Sequence, residues 1–197
     1  MAKRLFDLVA ASVGLLALSP LFLVVAIAIR RSSPGPVFFR QARVGRHGEP
    51  FSMFKFRTMR PDAERVGGQL TVGADPRITP IGHTLRKYKL DELPQLINVV
   101  LGDMSLVGPR PEVPRYVALY DERQRRVLDV RPGITDPASI AYRNENALLA
   151  AAADPEATYV AEVMPAKLEI NLAYLERRSL LRDVGVILQT LAAVVRR

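Results

Sequence analysis

From Leu8 to Ile29 the chain runs 22 residues without a formal charge. At about 1.5 Å per residue a straight helix of that length just crosses the hydrocarbon core of a bilayer. Its middle carries Ser19-Pro20. Proline lacks an amide donor and its ring clashes with the carbonyl of Leu16, so the pattern predicts a kink or break there, with the Ser19 hydroxyl able to bond a freed carbonyl. Lys3 and Arg4 precede the run and Arg30 and Arg31 follow it. Cations at both ends give the positive-inside rule no preferred direction, but satisfy it if both ends stay cytosolic. A re-entrant helix-break-helix over residues 1–31, each half about 15 Å long and reaching mid-bilayer, fits these features. An ordinary kinked span competes with it, and so does a signal peptide ending near Ala26-Ile27-Ala28, although the apolar run exceeds the usual length of about 7 to 15 residues. No stretch after residue 32 is long and apolar enough for a second span, so any anchor lies here.

The remaining residues, 32–197, have a size suited to one domain, and 49% hydrophobic content over the chain supplies a core. There is no Cys, which removes disulfides, zinc-thiolate sites, iron-sulfur clusters and thiol nucleophiles. His47 and His83 are the only histidines, too few for a His-rich metal centre. Carboxylates and guanidinium groups are left to do the chemistry. The net charge is +8, and 23 of the 28 cations are Arg, whose planar fork matches phosphate oxygens in pairs.

Ser32-Ser33-Pro34-Gly35-Pro36 stops the first helix. Val37 to Val44 and Pro50 to Met59, joined by Gly45-Arg46-His47-Gly48-Glu49, predict a β-hairpin. Its phenylalanines, Phe38, Phe39, Phe51, Phe54 and Phe56, read as core rather than a ligand box. Residues Arg60 to Pro80 read as loop, with a helical turn over Asp62 to Val66, and Ile81 to Lys87 as a short helix. Leu93, Leu96, Ile97, Val100 and Leu101 recur at helical spacing, predicting a helix from Glu92 to Leu101 that ends at Gly102. Further helices are predicted over Val113 to Val130, Ala166 to Arg177 and Leu180 to Val195. The last carries a continuous apolar stripe, with Arg182, Arg196 and Arg197 at its ends, that either packs on the domain or lies in the membrane interface. The fold class is α+β and mostly helical: a membrane helix, a small hairpin and interfacial amphipathic helices around a cytosolic catalytic domain.

The densest polar segment is Arg86-Lys87-Tyr88-Lys89-Leu90-Asp91-Glu92-Leu93-Pro94-Gln95. Asp91 falls where a helix N-cap belongs and Pro94 in the first turn, which is a complete structural explanation. Alternatively, adjacent carboxylates among cations can hold a magnesium ion and bind phosphate together. A carboxylate whose pKa is lowered by metal, helix dipole and cations stays available as a nucleophile on phosphorus. Neighbouring residues diverge on a helix, so Asp91 and Glu92 should hold different roles. In Gly102-Asp103-Met104-Ser105-Leu106-Val107-Gly108-Pro109-Arg110-Pro111-Glu112, two prolines fix the backbone around Arg110. That arrangement suits either phosphate binding or a surface salt bridge. Lys55 and Arg57, alternating with Phe54 and Phe56, fall on one strand face.

Lys89-Leu90-Asp91-Glu92-Leu93-Pro94-Gln95-Leu96, Gly102-Asp103-Met104-Ser105 with Gly108-Pro109-Arg110-Pro111, Phe54-Lys55-Phe56-Arg57-Thr58-Met59, Arg131-Pro132-Gly133-Ile134-Thr135 and the Ser19-Pro20 break together resemble the bacterial monotopic phosphoglycosyl transferases. The resemblance runs from the N-terminus to at least Asn144. It implies a membrane-bound enzyme moving a sugar-1-phosphate from a UDP-sugar to undecaprenyl phosphate with release of UMP, a first membrane step of polysaccharide or glycoconjugate synthesis. It also implies that Asp91 is the nucleophile forming a covalent phosphosugar, that Glu92 is its dyad partner, and that magnesium is held by the two. Arg86 then lies near the diphosphate, Pro109, Arg110 and Pro111 near the nucleotide, Lys55 faces the site, and Arg143-Asn144 contact the donor. The implied location is the cytosolic face of the bacterial inner membrane with both termini cytosolic. The partners are the two substrates and membrane lipids, with a homodimer left open and no nucleic acid. One departure stands out: many members read Gly-Trp-Ala after the Ile-Thr, where this chain has Asp136-Pro137-Ala138-Ser139. The rival reading is a membrane-tethered protein that binds nucleic acid or anionic lipid through its positive charge without catalysis.

Overall fold

The computed structural model describes residues 1–63, 73 and 75–195. Most of the turn expected at Asp62 to Val66 lies outside them, as do Arg196 and Arg197. Helix α1 (Ala2–Ser32) is continuous through Pro20, so the expected break is not an interruption. The Ser19 hydroxyl donates to the Leu16 carbonyl at 2.8 Å. That carbonyl is the acceptor Pro20, lacking an N–H, leaves without its helical donor, and satisfying it locally lets the helix continue. Among the described residues, α1 is the one helix long and apolar enough to cross a membrane.

Strands β1 (Phe38–Val44) and β2 (Pro50–Phe56) form the expected antiparallel hairpin, with Phe39 opposite Lys55 and Phe38 opposite Phe56. Helix α2 (Pro80–Lys87) starts at Thr79, whose side chain accepts from the Gly82 N–H. A Cβ at position 82 would lie 2.1 Å from the Thr58 carbonyl oxygen, so only glycine lets α2 approach the chain leaving β2. Lys89 takes a left-handed conformation, with φ of 56°, and turns the chain into a tight 3-10 turn over Leu90–Glu92. Helix α3 (Gln95–Leu101) therefore begins later than its periodicity suggested, and ends at Gly102 with φ of 102°. Buried Asn98 fastens α3 to β2, accepting from the Phe54 N–H at 2.9 Å and donating to the Ser52 carbonyl at 2.8 Å.

Two short parallel strands, β3 (Ser105–Val107) and β4 (Gly133–Thr135), pair behind the hairpin. The single helix expected over Val113 to Val130 is instead α4 (Pro114–Val117), α5 (Glu122–Arg125) and a 3-10 turn over Arg126–Asp129. Asp121 restarts the chain with a reciprocal cap to Gln124. Tyr116, Val117, Tyr120 and Val127 stay in one core across this bend. Then follow α6 (Pro137–Ala141), α7 (Glu145–Ala150), α8 (Pro155–Thr158), a π-turn over Tyr159–Val163, α9 (Met164–Glu176) and α10 (Leu180–Val195).

The N-terminal helix shares the domain's cores. Ala11 packs with Met53, Val99 and Met104, and Val25 and Ile29 pack with Phe56 and Leu85. Its start is also bonded down. Arg4 donates to the carbonyls of Val99 and Val100 at 2.7 and 3.2 Å, and the buried Asp7 carboxylate accepts from Ser105 Oγ at 2.8 Å. Its opposite face, including Val9, Val13, Leu16, Leu23 and Val24, is exposed. On α10, Val186 packs with Val107 and Tyr174 while Leu181, Leu188 and Leu191 are exposed, so its apolar stripe is only partly used in packing.

Candidate active site

The hairpin, the chain that leaves β2, the 3-10 turn and the C-terminal end of α2 enclose a cavity of about 550 Å³. Asp91, Lys55 and Arg86 line it, with Arg43, Arg57, Arg60 and Arg77. Among the described residues of its wall there is one acid against six cations, an arrangement suited to phosphate oxygens rather than to a neutral ligand.

Asp91 does not cap a helix: α3 has no side-chain cap, and the 3-10 turn that carries Asp91 has none either. Its side chain is buried, and among the described residues Oδ1 has no hydrogen-bond partner. A buried carboxylate oxygen left unbonded is costly and calls for a functional reason. Burial pushes the Asp91 carboxyl above the usual aspartate range, neighbouring Glu92 adds to this, and Lys55, Lys89 and Arg86 pull the other way without prevailing. Desolvation and a like charge thus outweigh the pull of the cations alone.

Glu92 diverges from it. Both its oxygens are taken by Arg110, whose Nη1 donates to Oε2 at 3.1 Å and Nη2 to Oε1 at 2.5 Å. Lys89 and Lys55 stand 3.8 and 4.0 Å away. Burial alone would raise Glu92, but Arg110, Lys89 and Lys55 together hold it well below the usual glutamate range. Arg110, set between Pro109 and Pro111, therefore holds the second acid of the pair. The Pro111 carbonyl accepts from Arg43 at 3.0 Å and the Pro109 carbonyl from the Gly133 N–H at 3.0 Å, which fixes the segment against β1 and β4.

Arg86 donates from Nε to Thr58 Oγ1 at 2.9 Å, so α2 and the chain after β2 aim its guanidinium at the cavity. Burial lowers the Lys55 ammonium to about 7, with Glu92 opposing the shift and Arg110 and Arg43 reinforcing it. Arg143 and Asn144, at the head of α7, are exposed and do not line the cavity. Asp136-Pro137-Ala138-Ser139 has a structural role: buried Asp136 caps α6, accepting from the Ser139 N–H at 3.0 Å and its hydroxyl at 2.5 Å.

Four cavity cations, Arg43, Arg57, Arg60 and Arg77, add to the site residues expected from sequence. Arg43, across the hairpin, is held by Gln41, the Pro111 carbonyl and Glu112. Arg57 donates to the carbonyls of Ser33 and Pro34 where α1 ends. Alternation with Lys55 already sets Arg57 on the same strand face, hairpin pairing is the signal that points to Arg43, and the stretch that carries Arg60 and Arg77 has no periodicity to read.

Among the described residues no three acids or histidines cluster as a metal cage. With Glu92 engaged by Arg110, Asp91 is the carboxylate open to a cation. This fits magnesium, which is held by one or two carboxylates together with substrate phosphates, and does not fit joint coordination by both acids.

The whole chain, residues 1–197, matches the bacterial sugar transferase family. It is 47% identical over 142 residues to the uncharacterized sugar transferase EpsL of Bacillus subtilis, covering 72% of this chain and 69% of that protein. It is 39% identical to the exopolysaccharide production protein ExoY of Rhizobium meliloti, over 98% of this chain and 85% of the relative. Identity is 38% to the Escherichia coli UDP-glucose:undecaprenyl-phosphate glucose-1-phosphate transferase, over 95% of this chain but 39% of that longer protein. The chain belongs to the bacterial sugar transferase family.

Proposed function

We propose that the chain transfers a sugar-1-phosphate from a UDP-sugar to undecaprenyl phosphate through a covalent intermediate on Asp91. The observation that carries this is the buried Asp91 Oδ1, unbonded among the described residues, in a cavity whose other charged lining residues are all cations. A carboxylate oxygen of Asp91 attacks the phosphorus bearing the sugar. The bond between that phosphorus and the bridging oxygen breaks, and UMP leaves with the electron pair. An oxygen of the acceptor phosphate then attacks the same phosphorus and displaces Asp91, regenerating the carboxylate and forming the lipid diphosphate sugar.

Arg86 and Lys55 hold phosphate oxygens during both displacements, and Glu92, fixed by Arg110, shapes the turn that carries Asp91. Asp91 would hold a magnesium ion together with substrate phosphate, and the ion, when bound, would supply neutralisation of the charge on the departing nucleotide phosphate. Relatives named as UDP-glucose:undecaprenyl-phosphate glucose-1-phosphate transferases support the reading.

The membrane placement follows from α1. Its first two turns bond to α3 and β3, and its last two pack on β2 and α2. Held to one cytosolic domain at both ends, α1 rests against the cytosolic leaflet with its exposed apolar face in the hydrocarbon, which keeps both termini cytosolic. Exposed Leu181, Leu188 and Leu191 of α10 lie in the interface beside it.

Incubation with a panel of UDP-sugars, followed by intact-protein mass spectrometry, should show a gain equal to one sugar phosphate and stoichiometric UMP. Asp91→Asn should show neither. Product made by native protein without any adduct, under rapid quench, would overturn the covalent route.

A further inference from the structure

One aromatic ring at the cavity wall stays partly open to solvent. Phe38 is 37% exposed, although hairpin phenylalanines read as core from sequence. Its ring stacks on Phe56 at 5.5 Å between centroids, with 16° between planes. Phe56, buried, meets Phe22 of α1 edge-on at 5.0 Å and 63°. Three rings thus form a ladder from the cavity wall to the membrane helix. On α1, the residues following Phe22, Leu23 and Val24, are each 63% exposed on its apolar face. Pro36, Phe39 and Met59 extend the apolar part of the cavity wall. Phe39 pairs with Lys55 across the hairpin, which sets hydrocarbon contact beside a phosphate-binding cation.

We infer that Phe38, with Phe56 and Phe22 behind it, is the subsite for the first isoprene units of the acceptor lipid. This rests on the transferase reading above. The occupant is set by the adjacency of the parts: an anionic head belongs at Lys55, and the hydrocarbon attached to it must pass from the cavity to the bilayer beside α1. Phe38 offers an exposed ring at the cavity end of that path, and Phe56, which is buried, and Phe22 support it from behind, next to the exposed apolar face of α1. Branched isoprene carries no hydrogen-bonding group, and ring faces ask for none. A uracil base would also stack on Phe38, but it carries polar edges and has no need to reach α1.

The test exploits the absence of Trp from the chain. Phe38→Trp creates a single fluorescent reporter at the subsite, read in lipid nanodiscs without turnover. A ten-carbon isoprenoid monophosphate should shift its emission to the blue in a saturable way, while UMP should leave the emission where it was. A shift with UMP alone, or with neither ligand, overturns the assignment. Because this readout needs no chemistry, it fails independently of the covalent route.

The kinetic counterpart separates the two half-reactions. Phe38→Ala should raise the acceptor KM about tenfold with kcat within twofold, and Phe38→Leu should recover most of the loss. A Phe38→Ala variant that instead slows adduct formation from the UDP-sugar would give the ring to the donor base and refute the lipid subsite.

Discussion

Arg110 grips Glu92 with both terminal nitrogens, at 3.1 and 2.5 Å, across 18 positions of sequence. The guanidinium that the neighbouring prolines hold in place meets the dyad rather than open solvent. The adjacent acids consequently differ. Glu92 is held anionic by a two-pronged partner, while Asp91 keeps a buried oxygen unbonded. Two carboxylates with opposite shifts are the pattern expected where one is reserved for chemistry.

Breaking this pair should cost both stability and activity. Arg110→Ala leaves a mostly buried carboxylate without its main partner, which costs on the order of 3 kcal/mol, and adduct formation should fall at least about 100-fold. Arg110→Lys retains charge but not the fork, and should recover only part of the loss. Thermal unfolding in detergent and intact-mass kinetics check both. If Glu92→Gln combined with Arg110→Ala loses as much as the two single changes summed, Arg110 works apart from Glu92.

Asp91→Asn should abolish transfer while leaving Tm unchanged or higher. Burial and Glu92 raise the folded pKa of Asp91 above its unfolded value. The folded state therefore holds this proton more tightly, and stability is lost as pH rises through the folded pKa, so at neutral pH the ionised group is a burden. An amide carries no charge to desolvate. A clear drop in Tm would give Asp91 a structural role instead.

How far the sequence alone carried the reading differs from part to part, for physical reasons. The hairpin and α10 were legible because strand alternation and the helical stripe are local. The position of Asp91 was not. An Asp three residues before a proline looks like an N-cap, and only the left-handed Lys89 and the 3-10 turn after it turn its side chain into a cavity. Strands β3 and β4 are three residues each and pair across 28 positions, so neither length nor periodicity announces them. Arg43 belongs to the cavity through pairing with the other hairpin strand, and the Arg110 contact with Glu92 exists only once α3 and β3 have folded against each other.

Lys55 should give donor binding a pH dependence near neutrality. Burial lowers its ammonium to about 7 from an ordinary value of 10.5. The groups acting on it are Glu92 and Asp91, which favour the charge, and Arg110 and Arg43, which oppose it. Protonated Lys55 attracts phosphate, so the dissociation constant for the UDP-sugar should rise between about pH 6 and 8. Lys55→Arg, charged throughout, should flatten that slope. The unfolded chain binds more protons between the two pKa values, so Lys55 also makes stability increase with pH from about 7 to 10.5. An unchanged slope in the Arg variant would remove Lys55 from donor binding.

The start of α1 should be what keeps its N-terminus on the cytosolic side. Asp7 is buried, accepting from Ser105 Oγ at 2.8 Å and from the Leu106 N–H at 3.3 Å. Lys3 reaches Asp183 on α10 at 2.6 Å, and Arg4 binds the last carbonyls of α3. These bonds join the first two turns to three other elements, whereas the far end of α1 is held by apolar packing of Val25 and Ile29. Since the chain lacks Cys, Ala2→Cys gives a single thiol that a membrane-impermeant maleimide can label in sealed inverted vesicles, where the cytosolic face is outside. Native-like protein should label fully. Arg4→Ala with Asp7→Ala should shift a measurable fraction to the protected side, because the apolar run can then cross. Adding Pro20→Ala should enlarge that fraction, since alanine restores the N–H that the Leu16 carbonyl lacks and removes the ring clash that favours bending. Protection of the thiol in the otherwise native chain would make α1 an ordinary span, and its packing against the domain would then have to be undone in the membrane.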